Sequence, residues 1–208
     1  MTRRNDEGFT LVELLVTTTL LGIVLSLATV GYVSGLRVSD DNRARVEATN
    51  DAAGPLEAVG RGLRTAVTGP NEAPAFTEAN RSMVLFWSTL DSSCQNGLST
   101  MRYWAKPDGT LVEQFTPGGS SMRQRILARG LRRTDVFSFS RNQPDPSDAT
   151  KQQLVDIPSV PVTGADLGAI RVVGTSLSLR ARERGDAPAV TAETRTFFVN
   201  KDYGESGC

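Results

Sequence analysis

The chain has no histidine among its 208 residues. Histidine changes its charge near neutral pH and is the commonest metal ligand, so the composition excludes histidine-based catalytic triads and most zinc sites. The two cysteines, Cys94 and Cys208, cannot supply the four thiolates of a structural zinc site. We therefore predict no catalytic residue, no metal site and no cofactor, and we do not expect an enzyme.

Net charge is also lacking, because 23 Lys and Arg residues balance 23 Asp and Glu residues. This balance argues against a protein that coats nucleic acid or an acidic membrane with its whole surface. Hydrophobic residues make up only 39% of the chain and aromatic residues 6%, so the core is expected to be modest. The length allows one domain, or one domain with an appendage.

The hydrophobic residues are concentrated near the amino end. From Leu14 to Leu36 the chain carries no charged residue, and about 20 apolar residues suffice for a helix to cross a bilayer. Arg3 and Arg4 precede this run, which predicts that the N-terminus lies in the cytoplasm and the rest of the chain outside. A removable secretory signal, a plain anchor and a specialised leader would each explain the run.

Glu13 is the residue that separates these explanations. A carboxylate at mid-bilayer costs about 3 kcal/mol on insertion scales, and less near the interface, so it calls for a cationic partner. A cut after Gly8 would create one, because the new α-amino group of Phe9 would lie four positions from Glu13 on the same helical face. The amine could pair within its own chain or with a neighbouring helix. An ordinary anchor with a chance glutamate is the alternative.

The sequence GFTLVELLV, at residues 8–16, resembles the class III signal of type IV pilins and type II secretion pseudopilins. The resemblance implies that a prepilin peptidase cleaves after Gly8 and N-methylates Phe9. It also implies that Glu13 neutralises the N-terminus of an adjacent subunit during filament assembly. The implied partners are other pilin or pseudopilin subunits, the peptidase, an inner-membrane assembly platform and, for the precursor, the cytoplasmic membrane. The mature chain would then lie in an extracytoplasmic filament or at the cell surface.

Beyond the apolar run, a helical pattern continues and then gives way to strands. An apolar stripe of helical spacing follows the run, and its members are Val46, Ala53, Leu56, Leu63 and Val67. Pro55 is predicted to kink or interrupt this helix, and Gly69–Pro70 to end it. Alternating β-branched and aromatic residues predict strands at 83–90, 99–105, 111–115, 125–131, 136–140, 170–181 and 194–200. Residues 142–149 and 158–168 are predicted loops.

These patterns predict an α+β fold of pilin-like architecture, in which a long N-terminal helix packs on an antiparallel β-sheet domain. Residues 1–8 would be the leader peptide, and residues 9–36 the transmembrane and assembly helix. Residues 37–68 would continue the helix in amphipathic form, and residues 69–208 would form a β-rich globular domain.

The carboxyl end carries a second resemblance. The passage from Ile170 to Asn200 is similar to the last two strands of J-type minor pseudopilins and W-type minor pilins, which favours a minor subunit. Because many pilins tie down their C-terminal segment with a disulfide, the family resemblance also implies a Cys94–Cys208 bond. Two unpaired thiols are the alternative.

A basic segment offers an alternative function. Five arginines occur without an intervening acid, namely Arg123, Arg125, Arg129, Arg132 and Arg133. Several arginines on one surface could contact DNA phosphates, which would make the chain a DNA-binding or adhesive module carried by a filament. A solvated face of the domain is the alternative reading of the same charges.

Overall fold

A computed structural model describes residues 10–93, 97–118, 121–179 and 190–197. The leader 1–8, Phe9, Cys94, Cys208 and the ends of the last two predicted strands, 180–181 and 198–200, lie outside the described residues. The chain divides into two compact units, residues 1–43 and residues 44–208. The first helix, α1, spans Leu11–Leu63 and so belongs partly to each.

In the first unit, α1 carries no charge on any side from Leu14 to Leu36. All described residues up to 43 are exposed, and Leu11 remains 80% accessible. Among the described residues, α1 is the one helix long and apolar enough to cross a membrane. Because so continuous an apolar surface is unfavourable in water, it requires lipid or other helices around it. The expectation of a transmembrane helix is therefore confirmed in its length and composition.

The hydroxyl groups of the threonines and of Ser26 in this apolar stretch are satisfied within the helix. Thr18, Thr19, Ser26 and Thr29 donate to backbone carbonyls one turn earlier, at 2.7–3.0 Å, and Thr17 donates likewise to the carbonyl of Glu13. Such bonds remove the cost of placing a bare hydroxyl in hydrocarbon. The polar residues of the run are thus compatible with burial in lipid.

In the second unit, the last part of α1 packs on strands. Its apolar buried positions follow helical spacing and are Ala48, Ala52, Leu56, Val59 and Leu63. The predicted stripe is wrong at Val46, which is 59% exposed, and at Ala53, which also faces solvent. The helix also runs through Pro55 without interruption and ends at Leu63, before Gly69–Pro70. The side of the helix that packs is set by the sheet beneath it, which the helical period alone does not reveal.

Nine strands in the described part of the chain form two antiparallel sheets. The first sheet has the order β1-β2-β3-β4-β5, with bounds Phe76–Asn80, Met83–Ser93, Gly97–Ala105, Leu111–Thr116 and Arg123–Ala128. The second has the order β7-β6-β8-β9, with bounds Asp148–Asp156, Phe137–Asp145, Ile170–Leu179 and Val190–Phe197. A short helix, α2 (Ala165–Ala169), precedes β8. The α+β prediction is confirmed, with two sheets in place of one.

The predicted loop at 142–149 is wrong, because these residues end β6, turn, and begin β7. Pro144 favours a loop in the sequence, but it pairs only with Gln152 of β7, beyond the last β8 partner of β6 at Arg141. A proline is tolerated where its missing N–H has no neighbouring strand to meet. The strand β7 was missed because an exposed edge strand is polar and lacks alternation. The predicted loop at 158–168 likewise contains the start of α2.

The core lies between the last part of α1 and both sheets. In β3, buried Met101, Tyr103 and Ala105 alternate with half-buried residues, so one face of the strand points inward. The Phe86 ring lies between those of Phe76 and Tyr103, with centroids 5.7 and 6.1 Å away. Buried residues of the other sheet, among them Phe139 and Leu177, belong to the same cluster.

One glycine controls how closely the helix approaches this core. A Cβ atom placed on Gly62 would lie 1.9 Å from the Tyr103 hydroxyl oxygen and 3.0 Å from the Met101 methyl carbon. Real Cβ atoms do not make contacts as short as the first, so any other residue at this position would push the helix away. By contrast, a Cβ on Gly54 meets nothing within 4 Å.

We expect Gly62→Ala to destabilise the protein by about 1–3 kcal/mol, because overpacking forces side chains or backbone to move. Gly54→Ala is the matched control and should change stability by less than about 1 kcal/mol, because the better helix propensity of alanine is opposed by the crowding of its Cβ against Pro55. Denaturant unfolding of the full-length protein in detergent, followed by the fluorescence of Trp87 and Trp104, measures both. Equal effects of the two substitutions would contradict the packing argument.

Candidate processing and assembly site

The first turn of α1 is fixed by Thr10. Its hydroxyl oxygen accepts a hydrogen bond from the Glu13 N–H at 3.3 Å, and its carbonyl accepts one from the Leu14 N–H at 3.1 Å. Thr10 is therefore the N-cap of the helix, and the spacing Thr-x-x-Glu is that of a capping box. The sequence analysis missed this role, although the letters TLVE at residues 10–13 carry its signal.

The cap determines where Glu13 lies. It places this carboxylate in the first turn of α1, where the partial positive charge of the helix N-terminus favours an anion. Within the described residues, no cationic side chain lies within ion-pair distance of Glu13. The carboxylate is exposed at the start of the apolar stretch. Gly8 and Phe9, the other two predicted site residues, lie outside the described part of the chain.

The five arginines of the basic segment are not equivalent. Arg125, on β5, binds the Glu113 carboxylate with both ends of its guanidinium, at 2.6 and 3.1 Å. Arg133 binds Asp135 in the same two-pronged way, with Nε 2.8 Å from Oδ1. The Arg133 guanidinium lowers the pKa of Asp135 below its usual value. Two of the five positive charges are thus compensated within the chain.

The other three arginines are exposed, and they are Arg123, Arg129 and Arg132. Among the residues that the structure describes, none of the three has a carboxylate within ion-pair distance. Because the charges of Arg125 and Arg133 are compensated, the positive surface is smaller than the sequence suggested. Phosphate binding grows with the number of uncompensated cations, so weaker binding is expected. Contact with nucleic acid stays a prediction.

Cys94 and Cys208 lie outside the described residues, so their pairing also stays a prediction.

Within the described ranges, no three His, Cys, Asp or Glu side chains are grouped so as to hold a metal ion. Two aspartates at the β6–β7 turn instead stabilise the backbone. The Asp145 carboxylate accepts a hydrogen bond from the Ser147 N–H at 2.8 Å, and the Asp148 carboxylate accepts one from the Thr150 N–H at 3.1 Å.

The amino end matches a known family model, the prokaryotic N-terminal methylation motif, over residues 3–29. The match includes Gly8, Phe9 and Glu13 and extends into the apolar part of α1. The chain carries a type IV pilin-like class III signal. The motif supports a pilin-like or pseudopilin-like precursor, and in general it implies processing by a prepilin peptidase and assembly with other pilins. Comparison with curated proteins and with solved structures gave no match.

This result bears on the sequence analysis in three ways. The resemblance to the class III signal is confirmed, and the α+β architecture of the described residues agrees with it. Pilin-like proteins in general are structural subunits and not enzymes. The apolar helix together with the motif is consistent with membrane anchoring. The likeness to J-type and W-type minor subunits stays a prediction, because the matched residues end at 29.

We expect Thr10→Val to fray the first turn of α1, because valine has the same shape but no oxygen to accept the Glu13 N–H. Loss of an N-cap costs about 1 kcal/mol, which corresponds to a roughly fivefold faster amide exchange at Glu13. Thr10→Ser keeps the oxygen and is the matched control. Amide exchange followed by NMR in detergent micelles measures the effect, and equal rates in both variants would refute the cap.

Proposed function

We propose that this chain is a minor pilin or pseudopilin, a structural subunit of a type IV pilus-like filament. In this proposal, prepilin peptidase cleaves the precursor after Gly8 and methylates the α-amino group of Phe9. The observation that carries the proposal is the position of Glu13. Its carboxylate lies in the first turn of a helix that is exposed and apolar from Leu11 onward, inside the methylation motif.

The charge on Glu13 explains why cleavage and assembly belong together. An unpaired carboxylate that enters an apolar environment is strongly penalised, whereas pairing with a cation offsets much of that penalty. Cleavage after Gly8 creates that cation at Phe9, four positions from Glu13. When helices of several subunits lie side by side, the Phe9 amine of one subunit pairs with Glu13 of the next. Glu13 thereby aligns each incoming subunit.

The apolar surface of residues 11–36 explains why a membrane and a filament can both hold this protein. In the precursor, lipid surrounds the helix. In the filament, helices of sister subunits take the place of the lipid, so that the surface never meets water. The threonine hydroxyls of this stretch and that of Ser26 are already bonded to their own helix and need no new partner during the transfer.

The remaining assignments follow from this arrangement. Arg3 and Arg4 would hold the amino end in the cytoplasm, and the segment from residue 69 onward would lie outside, where a Cys94–Cys208 disulfide can persist. Residues 9–36 would be the transmembrane and assembly helix and residues 37–68 its amphipathic continuation. An inner-membrane assembly platform would extract the subunit. The likeness of the segment from Ile170 to Asn200 to J-type and W-type chains supports a minor role.

Gly8→Leu tests the cleavage. We expect the substitution to block the peptidase, because the active site must admit an extended backbone at a residue without a side chain. Intact mass spectrometry of the membrane-extracted protein should then give the full chain from Met1, whereas wild type begins at a methylated Phe9. Gly22→Leu, the same exchange at a position with open space around it, should be processed normally. A wild-type protein that begins at Met1 would refute the proposal.

Glu13→Ala tests the assembly step. Membrane insertion and cleavage should be unchanged, while the amount of the protein in sheared filaments falls at least about tenfold, because the Phe9 amine then lacks a partner. The control is Glu57→Ala, which removes an exposed pair with Arg61 on the same helix and should cost only about 0.5 kcal/mol. Wild-type recovery of Glu13→Ala in filaments would show that the carboxylate does not align subunits.

A further inference from the structure

A row of three polar side chains crosses the first sheet beneath α1. Tyr103 on β3 is paired in register with Glu113 on β4, and Glu113 with Arg125 on β5. Residues paired in this way point to the same face of a sheet. The Tyr103 hydroxyl donates to Glu113 Oε2 at 3.0 Å, and Arg125 donates to both carboxylate oxygens. The Glu113 carboxylate therefore receives three hydrogen bonds.

The carboxylate depends on these donors because it is taken out of water. Glu113 is only 8% exposed, and a buried charge is costly unless it is both paired and hydrogen-bonded. Burial, and next the charge of Glu113, raise the pKa of Tyr103 far above its usual value, so the hydroxyl keeps its proton and remains a donor. The hydrogen bond to Glu113 likewise raises the pKa of Arg125.

One end of the row contacts α1. The Tyr103 hydroxyl oxygen lies 3.4 Å from the carbonyl oxygen of Ala58, and it occupies the space that a side chain on Gly62 would need. The hydroxyl has one proton, and it donates this proton in the shorter contact, to Glu113. The position of Tyr103 is thus fixed by Glu113, and the helix rests on Tyr103.

The other end of the row reaches the surface. The Arg125 side chain is 63% exposed, and β5 is the last strand of its sheet. The pair of Arg133 with Asp135 differs, because its carboxylate is 34% exposed. The pair of Arg61 with Glu57 is 73% and 71% exposed, so it contributes little.

We propose that Tyr103, Glu113 and Arg125 form a latch that holds residues 52–63 of α1 on the first sheet and that opens when Arg125 leaves Glu113. Without Arg125, the carboxylate loses its cation and two of its three hydrogen bonds, and movement of Tyr103 and the overlying helix would admit water to it. Loss of the ion pair at the exposed Arg125 guanidinium would thereby release residues 52–63 of α1 from the sheet. The latch lies within the second unit and does not depend on the filament proposal.

Hydrogen exchange tests the latch in the full-length protein purified in detergent. Arg125→Gln should accelerate amide exchange in residues 52–63 at least about tenfold, while residues 170–179 of β8 change less than about twofold, because opening is local. Arg133→Gln is the matched control, since Arg133 also pairs bidentately with a carboxylate, but that carboxylate, Asp135, is 34% exposed and is not part of the row. This control should leave residues 52–63 unchanged.

A double substitution separates the charge from the packing of the arginine. Glu113→Gln with Arg125→Gln removes the buried charge together with its partner, and the amide oxygen that replaces the carboxylate still accepts the Tyr103 hydroxyl. Exchange in residues 52–63 should return to within about threefold of wild type. The proposal is overturned if Arg125→Gln leaves exchange in 52–63 unchanged, if exchange rises equally in 170–179, or if the double variant is as labile as the single one.

Discussion

An apolar helix surface that must never be exposed to water constrains this protein more than any other feature. Between residues 11 and 36 the helix offers no charged side chain except Glu13, and the hydroxyl groups of its threonines and of Ser26 bond to its own backbone. Such a helix is stable in lipid or among similar helices, and only there. The capped first turn, the single carboxylate and the methylation motif all lie at the start of this surface, where a charge is still tolerable.

In the second unit, different interactions stabilise the helix. There the helix packs through Ala48, Ala52, Leu56, Val59 and Leu63, and it can come close to the sheet because Gly62 has no side chain. Where the helix comes closest to the sheet, the residues below it include the Glu113 carboxylate as well as apolar side chains. The helix is therefore stabilised partly by hydrophobic burial and partly by a hydrogen-bonded carboxylate, two contributions that respond differently to substitution.

The class III signal at the amino end was predicted correctly, because such a signal consists of residue types at fixed spacing, which can be read directly from the letters. The strands β2 to β5 of the first sheet were found for a similar reason, since an inward face such as Met101, Tyr103 and Ala105 leaves an alternating pattern. The short strand β1 was missed.

What the sequence could not predict depends on residues far apart in the chain. The row of Tyr103, Glu113 and Arg125 exists only once three strands are placed in register, and β7 escaped notice because an edge strand needs no apolar face. The buried side of α1 was misplaced at Val46 and Ala53, since the period gives the spacing of a stripe but not its direction. Compensation of Arg125 and Arg133 also required the partners' positions.

The outer strand β5 has a consequence for how copies of this protein meet one another. Its backbone groups on the side away from β4 have no strand beside them among the described residues, so that a second β5 could in principle extend the sheet. In an antiparallel pair of β5 strands centred on Gln124, Arg123 of each copy would face Arg125 of the other, and like charges facing each other across a ladder repel. The arginines of β5 thus disfavour edge-to-edge pairing of two copies through this strand.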